Sequence, residues 1–203
     1  MNLLAYDIRN LTDARYFAAR GAGYITFNAK GQTGELSVHA MTAMAEWIAG
    51  PGLLLVAPNA EKATELLGQV PFTGLILPSE NLSLVNPFLH MECFAEINCK
   101  DESHLEGLLE EAAEMDSFEL DGILLNLQKI GTITDNIGML INGLASKIPV
   151  YADISGDFHQ IGAVLHKCPQ LGLVLHGAEE EKVGLKSFDE MDDFLENWMG
   201  EMS

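Results

Sequence analysis

The chain has little positive charge. Eleven lysines and arginines face 30 aspartates and glutamates over 203 residues, a formal net charge of −19. A nucleic acid needs compensating cations along its phosphates, so DNA and RNA are excluded as partners. An anionic membrane surface is disfavoured for the same reason. Long apolar runs are also missing. No stretch of about 18 apolar residues occurs, so no membrane span is expected. The opening Met1-Asn2-Leu3-Leu4-Ala5-Tyr6-Asp7 has no basic segment ahead of a long apolar one. The expectation is therefore no secretory leader and a cytoplasmic location. Cysteine is scarce, with Cys93, Cys99 and Cys168 making an odd number and no CxxC pair. A disulfide framework would show an even count, and a zinc site tighter clustering with histidine. No HExxH, GxSxG, Walker or GxGxxG pattern is present, so neither metal nor cofactor is expected.

What is present is apolar: 48% of the residues are hydrophobic and only 20% charged. That is ample to offset the entropy of ordering a chain. The charge is uneven. Nine carboxylates fall in 101–121 and nine more in 179–201, while Arg9, Arg15 and Arg20 all lie in the first 20 residues. In both acidic stretches apolar residues recur at the helical period, as in Leu105, Leu108, Leu109 and Ala112, or Phe188, Met191, Phe194, Leu195 and Trp198. This is the pattern of outer helices with solvated acidic faces.

Short apolar runs alternate with helical patterns from end to end. Strands are predicted at 3–8, 24–28, 53–57, 74–77, 91–97, 122–125, 150–152 and 171–175, each bounded by Gly, Pro, Asn or Asp. Helices are predicted at 11–20, 38–49, 60–69, 102–115, 134–145, 157–168 and 188–198. A weak one at 81–88 is cut short by Pro87. Near-continuous apolar strands imply burial on both faces, as in a parallel sheet. Eight strand-helix units predict an α/β fold, a compact (β/α)8 TIM barrel formed as one domain over 1–203.

Chemistry in such a barrel sits where the strands end. The residues there are Tyr6, Asp7 and Arg9, then Asn28 and Lys30, Pro58 and Asn59, Pro78 to Glu80, Asn98 and Lys100. The last three strands add Asn126, Gln128 and Lys129, then Asp153, Ser155 and Gly156, then His176 and Gly177.

Two stretches at opposite ends carry a family resemblance. Ile8-Arg9-Asn10-Leu11-Thr12-Asp13-Ala14, leading to Gly21-Ala22, resembles the opening of phosphoribosylanthranilate isomerase of tryptophan biosynthesis. There a Cys-Gly-Ile-Thr run precedes an Asp-Ala helix and a Gly-Ala turn. His176-Gly177-Ala178-Glu179, followed by Gly184-Leu185-Lys186, is similar to that family's Ser-Gly-Val-Glu and Gly-Val-Lys-Asp segments. Val56-Ala57-Pro58-Asn59 and Leu124-Leu125-Asn126 are weaker echoes. The resemblance implies a compact barrel and an Amadori rearrangement of a phosphorylated sugar amine, an aldose-to-ketose isomerisation.

In the family a Cys ending strand 1 is the general base and an Asp ending strand 6 the general acid. Here Tyr6 stands at the Cys position, Asp7 at the following Gly, and Asn126 at the Asp. Neither replacement is a ready proton-transfer group near neutral pH. The resemblance also implies a phosphate site at Ser155-Gly156 and His176-Gly177, with Lys30 and Asp153 on the substrate rim. The leading expectation is a barrel of this kind without the isomerase activity, keeping a weak site for a small phosphorylated metabolite. The alternatives are a sugar-phosphate isomerase using different rim residues such as Asp7, Asp153 and His176, including a working phosphoribosylanthranilate isomerase, or a non-catalytic interaction barrel. The sequence leaves the oligomeric state open.

Overall fold

The apolar runs become eight parallel strands that pair in chain order and close on themselves, β1 meeting both β2 and β8. The strands are β1 (Leu3–Tyr6), β2 (Tyr24–Asn28), β3 (Gly52–Val56), β4 (Gly74–Pro78), β5 (Glu92–Asn98), β6 (Gly122–Asn126), β7 (Val150–Asp153) and β8 (Gly172–His176). Around them lie α1 (Leu11–Ala19), α2 (Val38–Ala45), α3 (Ala60–Leu67), α4 (Glu102–Met115), α5 (Asp135–Ala145), α6 (Phe158–Lys167) and α7 (Asp189–Glu201). The computed structural model describes every residue except 1, 32–35, 85–87, 89, 116–119, 155, 178–187 and 202–203; the side chains of 82–84, 112–115 and 199–201 are also outside the description.

Local chemistry sets the helix starts. Asn10, Ser37, Asn59, Thr134 and Asp157 each accept a hydrogen bond from the backbone N–H three residues on. Such caps are worth about 1 kcal/mol each. Two helical expectations are corrected. The helix predicted over 38–49 stops at Ala45, with Glu46 as its cap and positive-φ Gly50 ahead of Pro51 redirecting the chain into β3. The weak helix at 81–88 is replaced by a 3₁₀ segment, Ser79–Leu84, so no α-helix follows β4 among the described residues; 85–87 lie outside them.

Strand alternation sorts the core into two parts. One face packs outward against the helices, with Leu3, Ile25, Leu55, Leu75, Ile123 and Leu173 among its members. The other fills the barrel: Leu4, Tyr6, Leu54, Val56, Ile76, Phe94, Leu124, Tyr151 and Val174 form a separate buried cluster. At its lower end aromatic rings alternate with glycines on neighbouring strands. A Cβ on Gly52 would lie 2.8 Å from the Tyr24 ring, one on Gly172 2.6 Å from Tyr151, and one on Gly122 2.8 Å from Phe94. These missing side chains make room for the rings, so the barrel is filled rather than hollow.

Candidate functional site at the barrel mouth

Inward alternation continues to the strand ends, and there the residues turn polar. Tyr6, Asn126, Asp153 and His176 end their strands, with register pairs Tyr6↔His176 and Asn126↔Asp153, and Glu96 lies two residues before the end of β5. Three acid–base pairs surround the mouth.

The first crosses it. Tyr6 projects from β1, and its hydroxyl donates to Glu96 Oε1 at 3.4 Å. Glu96 belongs to β5, halfway round the ring, so the phenol lies across the opening. Lys30 Nζ donates to the other carboxylate oxygen of Glu96. The Glu96 side chain is only 7% exposed and that of Lys30 20%. Burial, then the charges of Glu96, Asp7 and Asp153, push the Tyr6 hydroxyl far above its ordinary pKa of 10.0. The phenolate that a general base would need is therefore inaccessible at neutral pH.

The second pair is His176 with Asp153. Nε2 of His176 lies 3.0 Å from Asp153 Oδ1. The other carboxylate oxygen accepts from Gln128 Nε2 at 2.9 Å. Asp153 is buried while His176 is exposed. Burial works against protonating His176, but the hydrogen bond and charge of Asp153, joined by the charge of Asp7, outweigh it. The pKa rises above its usual 6.5. A raised histidine pKa stabilises the folded state fully below the unfolded value, and the contribution is lost as pH climbs through the folded one. Asp153→Asn is accordingly expected to destabilise more near pH ~5.5 than near pH ~9, read by urea unfolding at both. Equal losses would mean that His176 titrates independently of Asp153.

The third pair is Asp7 with Arg9. β1 ends at Tyr6, and Asp7 turns out of the strand with a φ of 54°. Its N–H donates to Thr26 Oγ1 at 2.9 Å, and its carboxylate accepts from Arg9 Nε at 3.0 Å. Because the strand has already ended, Asp7 lies close enough to raise both Tyr6 and His176. A left-handed φ costs an ordinary L-residue about 1–2 kcal/mol, while glycine adopts it freely. Asp7→Ala and Asp7→Gly both delete the Arg9 pair, so the alanine variant is expected to be about 1 kcal/mol the less stable in a thermal or urea melt.

Asn126, at the position where the resemblance places an acid, is engaged in its own loop. Its side-chain carbonyl accepts from the N–H of Gln128 at 3.0 Å. Asn28 does the same two residues ahead of Lys30, also at 3.0 Å. Each of these Asx turns is followed by the long side chain that reaches a buried carboxylate: Lys30 to Glu96, Gln128 to Asp153.

Of the expected anion-site residues, Gly156 has a φ of 126°, a conformation suited to glycine. Ser155 lies outside the described residues. Gly177 is fixed by close approach: a Cβ there would meet Asp13 Oδ2 at 2.5 Å. Asp13, capping α1 with Asn10, is itself buried. Sequence reasoning missed Glu96, because residues were sought after β5 rather than on its inward face. The alternation Glu92, Phe94, Glu96 was the available signal. Among the described residues no cluster of three or more His, Cys, Asp or Glu is placed to hold a metal ion. No helix among them is long and apolar enough to cross a membrane.

The fold and mouth together define a closed (β/α)8 barrel with its polar constellation at the C-terminal rim. Among solved structures, the phosphoribosylanthranilate isomerase of Thermotoga maritima is similar over 98% of this chain and 99% of its own, with a TM-score of 0.76 and 16% identity. The enzyme from Thermus thermophilus is similar over 98% and 99%, at 0.71 and 18%. That from Pyrococcus furiosus is similar over 97% of each chain, at 0.72 and 13%. A further isomerase structure, at 0.76 and 16% over 98% and 99%, is a complex with reduced 1-(o-carboxyphenylamino)-1-deoxyribulose 5-phosphate. No protein-family model and no curated protein sequence matches the chain. The likeness establishes a phosphoribosylanthranilate isomerase-like TIM barrel fold.

Proposed function

We propose that this barrel does not catalyse the Amadori rearrangement and keeps only a weak anion site at its rim. The observation that carries the reading is the Tyr6 ring spanning the mouth to Glu96, at the level where the resemblance puts a catalytic base. Two further features support it. Asn126 has no proton to give, and its carbonyl already serves its loop. One acid or base typically contributes ~10²–10⁴ in rate, so replacing both removes most of the chemistry. Three of the rim cations are also committed: Arg9 to Asp7, Lys30 to Glu96 and His176 to Asp153. A phosphate dianion would compete with an acid for each of them. Besides Lys100 and Lys129, which follow β5 and β6, the groups proposed for it are Ser155, Gly156 and the His176-Gly177 pair, including Nδ1 of His176.

Expression in a tryptophan auxotroph lacking the isomerase tests this directly. No growth is expected, and growth would overturn the proposal. Thermal shift with inorganic phosphate and with the reduced substrate analogue measures the anion site. The analogue is expected to stabilise no more than phosphate does.

A second reading rests on His176 and Asp153. An exposed imidazole oriented by a buried carboxylate, itself held by Gln128, is an arrangement suited to moving a proton. This reading assigns the barrel an isomerase-type reaction on another phosphorylated sugar. Turnover of a member of a sugar-phosphate panel that is lost in His176→Asn would favour it over the first.

A further inference from the structure

The outer wall carries a groove unrelated to the mouth. It lies between α6 and α7 and encloses about 760 Å³, within the size range of specific binding sites. Its floor is aromatic. Phe158 stacks on Phe194 with centroids 4.9 Å apart, and Phe194 on Trp198 at 6.2 Å. Gly162 leaves the floor open, since a Cβ there would only reach ordinary contact with Phe194 at 3.8 Å. The rim carries Asp157, Glu190 and Asp193, all exposed, beside the exposed His159 and His166, and no lysine or arginine lines the groove among the described residues. Glu190 and Asp193 have no cationic partner among those residues. The aromatic floor and the acids beside it suit an apolar occupant with a cation next to it.

The chain carries such a feature on another part of the same wall. Trp47, just past α2, is 65% exposed. The Arg15 guanidinium from α1 lies 6.0 Å from the centre of its ring. Arg15 is itself exposed and has no carboxylate partner among the described residues, whereas Arg9 and Arg20 are both engaged with acids. A buried tryptophan of this kind removes roughly 150–250 Å² from water and is a favoured anchor at interfaces. The acids of the groove supply the countercharge for Arg15. At physiological salt, screening over ~8 Å makes these local charges matter more than the net −19 of each copy.

We propose that the α6–α7 groove receives the Arg15–Trp47 knob of a second copy of this chain. Knob and groove are different surfaces, so the contact is head-to-tail. It leaves one free knob and one free groove on every pair, and assembly continues past the dimer unless a ring closes.

Sedimentation velocity on the full chain, from low to high micromolar, is the test. The expected result is reversible association that passes beyond the dimer and weakens with added salt. Trp47→Ala and Gly162→Gln should each weaken it at least tenfold, with unchanged circular dichroism. Arg15→Glu should abolish it, and Arg15→Glu combined with Asp193→Arg and Glu190→Arg should restore it. The charge exchange guards against a variant that merely fails to fold. A chain that stays monomeric throughout, or association indifferent to Trp47 and to the charge exchange, would falsify the proposal. So would a groove that binds a cationic peptide of foreign sequence while the chain alone remains monomeric.

Discussion

Lys30→Met is expected to destabilise the protein by about 3–5 kcal/mol, because it strands a carboxylate that has almost no access to water. Glu96 is 7% exposed at its side chain and receives two donors, the Lys30 ammonium and the Tyr6 hydroxyl. Removing the ammonium leaves one neutral donor against a full negative charge. The informative companion is Lys30→Met with Glu96→Leu, which removes both charges and keeps the volume. Buried pairs replaced by apolar groups are often neutral or better, so the double variant should regain most of the loss. Urea unfolding of the two single variants and the double completes a cycle. Additive losses would show that the two groups do not interact. Tyr6→Phe belongs in the same series and should cost about 1–2 kcal/mol, the usual range for a partner lost to a buried charge.

Gly74→Ala is expected to cost about 3 kcal/mol or more, and it acts through the backbone instead of charge. A Cβ at Gly74 would lie 2.3 Å from the carbonyl oxygen of Glu92, 2.8 Å from that residue's Cβ and 2.9 Å from Leu54 Cδ2. The nearest of these atoms is main chain in the neighbouring strand, paired in register with Gly74 itself. It yields only if the β4–β5 ladder moves. Gly68→Ala is the control: it caps α3 at a φ of −78° with open space around it. That change should be neutral or slightly stabilising, by up to about 1 kcal/mol. Thermal melts of both variants compare them, and equal effects would show that the clash at Gly74 relaxes freely.

The barrel was legible because its signals are local. Apolar runs punctuated by turn residues located all eight strands within two residues of their ends, and the helical period of apolar residues located the helices. The segment after β4 was not legible as a 3₁₀ turn, since the few apolar positions between Asn81 and Pro87 fit either period. The mouth was legible only in part. Tyr6, Asp7, Asp153 and His176 follow from strand ends. Which carboxylate meets which cation depends on closure of the ring, which sets β1 opposite β5. Glu96 escaped because an acid inside an apolar strand reads as a solvated interruption until its face is known. The Asx turns at Asn28 and Asn126 were visible as Asn-x-Lys and Asn-x-Gln after a strand. Their use became clear only with the buried acids in place.

The bridge across the mouth also bears on how the barrel can be divided. β1 to β4 carry Tyr6 and, on the loop after β2, Lys30, while β5 to β8 carry Glu96. A cut after the 3₁₀ segment would separate two donors in one half from a bare acid in the other. A fourfold strand-helix unit taken from either side would not be a self-sufficient module, and duplicating one half would put two acids, or none, at the centre. Rejoining the ends elsewhere on the ring leaves the bridge whole. For this bridge, then, it is the joining of the two halves that counts and not where on the ring the polypeptide starts.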